Sequence, residues 1–186
     1  MIGFAITASY CTISGAIEVM EELVSEGYEL VPIMSENAYS TDTRFGEAKD
    51  IVNRVQEICG REVIHSIVDA EPIGPRMDLE ALVICPCTGN TLAKMANGIT
   101  DTPVCMAAKA QLRNNKPVVI SLATNDAMSA NLKNIATLLS RKNVYFTPMM
   151  QDDPIYKPHS LVAEVSLVKN TLRYAINGKQ YPKIFI

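Results

Sequence analysis

The sequence lacks several features that would indicate a particular class of protein. It contains no tryptophan and only two histidines, and its 17 Lys and Arg residues are outnumbered by 20 Asp and Glu residues, for a net charge of −3. A weakly acidic chain has no general attraction for nucleic acid or anionic lipid, so any recognition of phosphate must be local. No apolar segment reaches the ~20 residues that a membrane-spanning helix requires.

Two common nucleotide-binding motifs are also missing. The first apolar run is followed by Thr7-Ala8-Ser9-Tyr10, where dinucleotide-binding folds carry Gly-x-Gly-x-x-Gly. No Gly-x-x-x-x-Gly-Lys-Ser/Thr segment exists, which excludes the P-loop NTPases. No spacing of Cys and His resembles a zinc site, and the sequence therefore predicts no metal centre.

The cysteines and the N-terminus favour an intracellular protein. The five cysteines are an odd number, and three of them lie in or beside apolar runs. This predicts free thiols in a reducing cytoplasm. Residues 1–6 have no basic start and lead directly into a predicted strand, so we expect no secretory signal. Cys85 is expected to be buried, and Cys87, at the end of an apolar run, is the candidate reactive thiol.

Short apolar runs and helical patterns alternate along the chain. The predicted strands lie at 2–7, 30–34, 81–85, 117–122 and 144–147, with a weaker one around 62–67. The predicted helices lie at 13–24, 48–59, 91–97, 105–114, 131–140 and 160–176. The alternation predicts an α/β fold, a flavodoxin-like three-layer sandwich with a mainly parallel sheet of five or six strands. We expect one domain over residues 1–186, with 151–186 as a C-terminal tail and helix.

Four loops that follow predicted strands are rich in small polar residues. They are Ala8-Ser9, Ser35-Glu36-Asn37, Thr88-Gly89-Asn90-Thr91 and Ala123-Thr124-Asn125-Asp126. Helix capping explains each loop singly. In parallel sheets, however, such loops meet at the carboxyl ends of the strands, where ligands bind. The four together favour a ligand crevice over four independent caps.

The stretch Thr88–Thr91 is the strongest candidate for an anion site. The N-terminus of a helix carries unpaired N–H groups and a partial positive charge, so it holds a phosphate without Lys or Arg. Gly89 lets the backbone approach a ligand, the hydroxyls of Thr88 and Thr91 are further donors, and Asn90 either caps the helix or contacts the ligand. A mononucleotide such as FMN suits a flavodoxin-like sheet, and free phosphate is the simpler occupant.

The segment "PCTGNTLAKMANGITDTPV" (86–104) closely resembles the phosphate motif of the flavin-dependent cysteine decarboxylase superfamily. That motif reads Pro-Ala-Ser-Ala-Asn-Thr and continues into a helix with Lys-x-Ala-Asn-Gly-Ile-x-Asp. The resemblance implies that Thr88, Gly89, Asn90 and Thr91 hold the FMN phosphate. It further implies flavin contacts from the loops after the other strands, at Ala8, Ser9, Ser35 and Thr124.

The chain departs from the decarboxylases of this superfamily at two places. Residues 69–75 contain no histidine where those enzymes have a catalytic one, and 123–128 lack their Pro-x-Met-Asn substrate motif. Residues 87–126 and 151–154 instead resemble the second component of a two-component oxidoreductase of spore-forming bacteria. That resemblance implies oxidation of a dihydropyridine dicarboxylate during sporulation, in the mother-cell cytoplasm, with an A subunit that has its own dinucleotide-binding fold.

Two other functions remain open, and no catalytic residue is assigned. One is a stand-alone FMN-dependent decarboxylase of a cysteine-derived substrate, and the other is a non-catalytic protein that binds phosphate or FMN. Arg76 is a candidate partner for a substrate carboxylate, whereas His65 is interpreted as a structural or surface residue and His159 as an interface or cap residue. Asp101 and Asp126 are interpreted as caps or acid–base groups. Superfamily relatives are homo-oligomers, and the segments 91–97 and 106–112 are the expected contacts.

Overall fold

Strands and helices alternate along the chain as the sequence pattern predicts. The computed structural model describes residues 1–186. The strands are β1 (Ile2–Ile6), β2 (Leu30–Met34), β3 (Ala81–Cys87), β4 (Val118–Thr124), β5 (Val144–Phe146), β6 (Met149–Met150) and β7 (Leu161–Ala163). The helices are α1 (Ile13–Ser25), α2 (Glu36–Ser40), α3 (Ala48–Cys59), α4 (Ile67–Ala70), α5 (Gly89–Ala96), α6 (Pro103–Arg113), α7 (Leu132–Leu139) and α8 (Val168–Ile176). Short 3₁₀ turns at Tyr10–Thr12 and Val165–Leu167 precede α1 and α8.

Five strands form a parallel sheet in the order β2-β1-β3-β4-β5. The chain runs outward from β1 to β2 and then returns to the other side of β1 with β3, so the direction of winding reverses between β1 and β3. In doubly wound sheets this reversal leaves a crevice at the carboxyl ends of the two strands. The predicted flavodoxin-like, mainly parallel fold is confirmed.

Apolar side chains on the two faces of the sheet form two separate cores. Leu82 and Ile84 of β3 face one core, whereas Ala81, Val83 and Cys85 face the other. Helices α5, α6 and α7 cover the first face, and α1, α3 and α8 cover the second. Because both faces of β3 are buried, its sequence is continuously apolar rather than alternating.

Several elements of the structure differ from the predicted pattern. Around 62–67 only Ile64 bridges to the sheet, and α4 begins at Ile67, so the weak strand is absent. The predicted helix over 160–176 begins only at Val168, because 161–163 pair with the end of β4 as the antiparallel strand β7. Strand β4 also continues through Thr124, two residues further than predicted. No helix is both long and apolar enough to span a bilayer.

Candidate functional site

The carboxyl ends of β1 and β3 are joined by one buried threonine. Thr7, 1% exposed, donates from its hydroxyl to the Pro86 carbonyl at 2.9 Å. The same hydroxyl oxygen accepts the backbone N–H of Thr88 at 2.9 Å. The hydroxyl is therefore fully used, and it fixes the turn that leads from β3 into α5.

Thr88 caps α5 and leaves two N–H groups free. Its hydroxyl oxygen accepts the backbone N–H of Thr91 at 3.3 Å, while its proton is donated to the Thr91 hydroxyl oxygen at 3.1 Å. No side chain accepts from the N–H groups of Gly89 and Asn90, the first two of the helix. Helical N–H groups at these positions have no partner within the helix. They are the donors available to an anion here.

A polar network packs against Gly89 from the end of β4. Asp126 accepts hydrogen bonds from the Thr124 hydroxyl at 2.6 Å and from the Asn131 amide at 2.9 and 3.0 Å. The Thr124 hydroxyl and, to a lesser degree, the Asn131 amide hold the pKa of the Asp126 carboxyl below its ordinary value. Asn134 extends the network by donating to Asn131 at 2.8 Å. The Thr124 hydroxyl thus donates its proton to Asp126, so the Thr124 oxygen can only accept a hydrogen bond from a ligand.

These elements enclose a cavity of about 590 Å³ at the switch point of the sheet. We call one group of its lining residues the floor: Ala8, Ser9, Thr88, Gly89, Asn90 and Thr124. A second group, the rim, comes from segments outside the parallel strands: Arg44, Phe45, Asp152 and Lys157. The volume lies in the range of about 300–1,000 Å³ typical of cofactor and ligand sites.

The rim residues are held by short local hydrogen bonds. Arg44 and Phe45 occupy the tip of a tight turn closed by two backbone hydrogen bonds between Thr43 and Gly46. In the segment 151–160, Lys157 donates to Asp152 at 2.9 Å, and this ion pair raises the pKa of the ammonium group. Ser160 and then Lys157 lower the pKa of the Asp152 carboxyl. The rim therefore presents two cations and one carboxylate.

Six of the eight predicted site residues line the cavity, and two do not. Ser35 caps α2 by accepting the Ala38 N–H at 3.3 Å, outside the cavity lining. Thr91 is 8% exposed, and its hydroxyl oxygen accepts from Thr88 rather than facing the cavity. The structure therefore does not place Thr91 in the cavity lining, because its hydroxyl is engaged at the start of α5.

The expected reactive thiol is also misplaced. Cys87 is 0% exposed, and burial raises the pKa of its thiol far above the ordinary value. Cys85 and Cys87 are two positions apart and would share a face of a regular strand, but they lie in opposite cores because the register of β3 against β4 shifts between Ile84 and Cys87. The cysteine that lines the cavity is instead Cys11, which is exposed in the 3₁₀ turn after β1. All five cysteines are unbonded.

The other residues considered from the sequence lie away from the cavity. Arg76 is exposed in a turn beside Glu71 and Pro72. His65 stacks on Tyr39 with ring centroids 3.9 Å apart, and His159 is exposed. Asp101 forms an ion pair with Lys94 at 2.8 Å. No group of three or more His, Cys, Asp or Glu side chains is arranged to hold a metal ion.

Sequence reasoning missed the rim residues. Arg44 and Phe45 follow a polar Ser-Thr-Asp-Thr run, and Lys157 lies between two prolines and acidic residues, so the surrounding composition indicates loops. Nothing local indicates that loops more than a hundred residues apart line one cavity. The best signal was the density of small polar residues at strand ends, which identified the floor.

The cavity, the sheet order and the helix start agree with one family of proteins. The Flavoprotein family model matches residues 1–170. The chain belongs to the Flavoprotein family. The resemblance inferred from the sequence is therefore confirmed.

This flavoprotein is similar over its full length to the B subunit of dipicolinate synthase from Bacillus subtilis, with 46% identity over 185 residues that cover 100% of this chain and 92% of the relative. The crystal structure of the corresponding B subunit from Bacillus halodurans has 43% identity and a TM-score of 0.91, covering 100% of this chain and 95% of that one. The FMN-dependent cysteine decarboxylase SpaF shares the fold, with 21% identity and a TM-score of 0.68 over 94% of this chain and 95% of that one.

Proposed function

We propose that this flavoprotein is the B subunit of a dipicolinate synthase and acts with an A subunit to oxidise dihydrodipicolinate to dipicolinate. The observation that carries the proposal is the 46% identity over the whole chain to the B subunit of dipicolinate synthase. The reaction removes a hydride and a proton from a dihydropyridine ring and leaves an aromatic pyridine with two carboxylates. We propose one domain over residues 1–186 for this role, in the cytoplasm of a sporulating cell.

FMN is the cofactor that the cavity fits. A mononucleotide needs an anion site for one phosphate, and the unpaired N–H groups of Gly89 and Asn90 supply it at the start of an eight-residue helix. Gly89 has no Cβ, and an added one would lie 2.5 Å from the Thr124 hydroxyl, so the backbone is held close to the network behind it. Ser9 lines the same cavity. When bound, FMN supplies a two-electron acceptor.

In this proposal, the residues of this chain bind FMN and orient it. Thr7 and Thr88 fix the turn between β3 and α5, so the phosphate site exists before a ligand arrives. Thr124 presents an acceptor oxygen, since its proton is donated to Asp126. An acceptor in this position suits an N–H group of a flat heterocycle. A rigid, prebonded site loses less conformational entropy on binding than a mobile one.

Assembly is a further part of the proposal. We expect a homo-oligomer whose contacts include α5 and the segment 106–112. Between these helices lies a cavity of about 200 Å³ lined by Met95, Ile99 and Leu112, and the Ile99 side chain is 46% exposed. Light scattering coupled to size exclusion should therefore give a mass above that of the 20.4 kDa chain. A clean monomer at micromolar concentration would contradict this part alone.

A stand-alone decarboxylase is the less favoured function. No histidine lines the cavity, and residues 69–75, where the decarboxylases have theirs, lie outside its lining. The residues 123–128 also lack the decarboxylase substrate motif. Neither difference affects the proposed oxidation.

Reconstitution with the A subunit tests the proposal directly. The chain should bind FMN and turn yellow, and its mixture with the A subunit should form the ultraviolet-absorbing pyridine dicarboxylate from dihydrodipicolinate. Each protein on its own is the control. A colourless chain that leaves the rate of its partner unchanged would overturn the proposal in favour of a non-catalytic role. Release of carbon dioxide from a cysteine-derived peptide would favour the decarboxylase.

A further inference from the structure

Two cations at the rim have no role in holding the cofactor as proposed above. The phosphate site uses backbone N–H groups, whereas Arg44 and Lys157 are 113 residues apart in the sequence and both line this cavity. Arg44 takes part in none of the ion pairs of the structure. An unpaired guanidinium at the edge of a cavity is free to bind an anionic ligand.

Each of the two cations makes one side-chain contact within the rim. The Arg44 guanidinium carbon lies 4.8 Å from the centre of the Phe45 ring, a cation–π contact at the tip of the turn. Lys157 is held by Asp152 at 2.9 Å, within a segment that is further fixed by a hydrogen bond from Gln151 to the Pro158 carbonyl at 3.0 Å. Guanidinium groups bind carboxylates through two parallel hydrogen bonds, so Arg44 suits a carboxylate ligand.

Apolar surface accompanies the charges. Phe45 is 52% exposed beside Arg44, and Tyr10 lines the same cavity. The ligand that suits these groups has flat apolar faces and anionic edges. The single rim carboxylate, Asp152, is paired with Lys157, so the positive charge of Arg44 is uncompensated. Lys157 is a second cation whose ion pair can exchange for a ligand carboxylate.

We propose that Arg44 and Lys157 bind the two carboxylates of a planar pyridine-type dicarboxylate whose ring packs against Phe45. This inference rests on the proposed function for the identity of the ring, and it assigns the substrate to the rim rather than to the floor. It also replaces Arg76, which lies outside the cavity. Arg44 and Lys157 are thus specificity-determining residues, since a ligand with one carboxylate engages only one of them.

Calorimetric titration of the full-length chain tests the assignment. Pyridine-2,6-dicarboxylate and pyridine-2-carboxylate are each titrated, in metal-free buffer because the dicarboxylate chelates metals. Both titrations are made with and without FMN. The variants are Arg44→Gln, Lys157→Gln and the double substitution. Lys49→Gln, an exposed cation that does not line the cavity, is the matched control for the loss of one charge.

Each single substitution should lower the affinity for the dicarboxylate by about tenfold. This loss lies between the contribution of an exposed ion pair and that of a hydrogen bond to a charged group. The double variant should weaken it by about a hundredfold. For the monocarboxylate, the double variant should lose no more affinity than the more damaging of the two single variants. Arg44→Lys should recover part of the affinity by keeping the charge, and Lys49→Gln should bind as the wild type does.

The outcomes separate this inference from the proposed function. Dicarboxylate affinity that is unchanged in both single variants would overturn the rim assignment, even if FMN binds and the two proteins are active together. An equal loss of FMN affinity in the double variant would also overturn it, because the cations would then serve the cofactor. If the wild type fails to bind FMN while the dicarboxylate titrations behave as expected, the cofactor proposal fails and the rim assignment stands.

Discussion

The floor and the rim of the cavity are built in opposite ways. On the floor, Thr88 and Thr124 each hold a hydrogen bond within the protein, and Gly89 is buried against the network behind it. At the rim, Arg44, Phe45 and Lys157 are exposed and belong to turns and irregular segments. The floor is part of the folded core, whereas the rim is added to its surface.

This difference predicts how the two groups respond to substitution. A floor residue supports the junction of a strand and a helix, so its loss affects both folding and binding. A rim residue is solvated and makes few internal contacts, so its loss affects binding alone; surface substitutions usually change the free energy of unfolding by less than about 0.5 kcal/mol. The rim variants Arg44→Gln and Lys157→Gln are therefore the standard against which variants of the floor and its supporting network are compared.

The largest effect is expected for Gly89→Ala. The new Cβ would lie 2.5 Å from the Thr124 hydroxyl and 2.6 Å from the Asn131 amide, so the helix start or the network must move. Overpacking of this kind lowers the free energy of unfolding by about 1–3 kcal/mol. FMN affinity should fall by about a hundredfold, since both anion-binding N–H groups are displaced. Urea unfolding and quenching of FMN fluorescence measure the two effects. Lys49→Ala, at an exposed position outside the cavity, is the control and should leave both values unchanged.

Thr88→Ala should have the next largest effect. Losing the cap of α5 costs about 1 kcal/mol of stability. The Thr91 N–H then has no partner and the helix start is less ordered, so FMN affinity should fall by about tenfold. Thr88→Ser keeps the hydroxyl and should restore both values. The same two measurements apply. Full FMN affinity in Thr88→Ala would show that the cofactor does not depend on this helix start.

Thr91→Val should affect folding slightly and binding hardly at all. The Thr91 hydroxyl accepts from Thr88 and does not line the cavity. Removing it costs about 1 kcal/mol, the usual scale for one neutral hydrogen bond. FMN affinity should change by less than about threefold, which is well below 1 kcal/mol. A tenfold loss of FMN affinity with unchanged urea unfolding would place this hydroxyl on the ligand and contradict the geometry of the helix start.

The smallest effect is the acid sensitivity of the Asp126 network. The folded-state pKa of Asp126 is depressed, chiefly by the Thr124 hydroxyl and then by the Asn131 amide. The stabilisation is therefore fully present above the ordinary Asp pKa of about 3.9 and is lost as the pH falls below it. Asp126→Asn should unfold with a shallower dependence on pH below about 4. Asp50→Asn, on the exposed side of α3, is the control. Identical profiles for Asp126→Asn and the wild type would contradict this.

The local sequence by itself determined the parallel sheet and the floor of the cavity. Apolar runs of five or six residues predicted β1 to β4 with ends within two residues of those observed, and the cluster Thr88–Thr91 was recognised as the start of a helix. These features depend on neighbours within a few positions, through backbone propensity, apolar periodicity and capping. The Flavoprotein motif at 86–104 added the cofactor expectation, because it is a continuous stretch.

Only the tertiary structure decided which side chains face the cavity and which distant segments join it. Thr91 and Cys87 lie within the motif region but point into the core, since the packing of α5 and β3 sets their direction. The residues of β7 have a helical pattern, yet the exposed end of β4 offers them hydrogen bonds and they form a strand. Arg44 and Lys157 line one cavity because the fold brings their loops to the same edge of the sheet. Contacts between residues more than a hundred positions apart leave no local pattern, so the rim could be found only in the folded molecule.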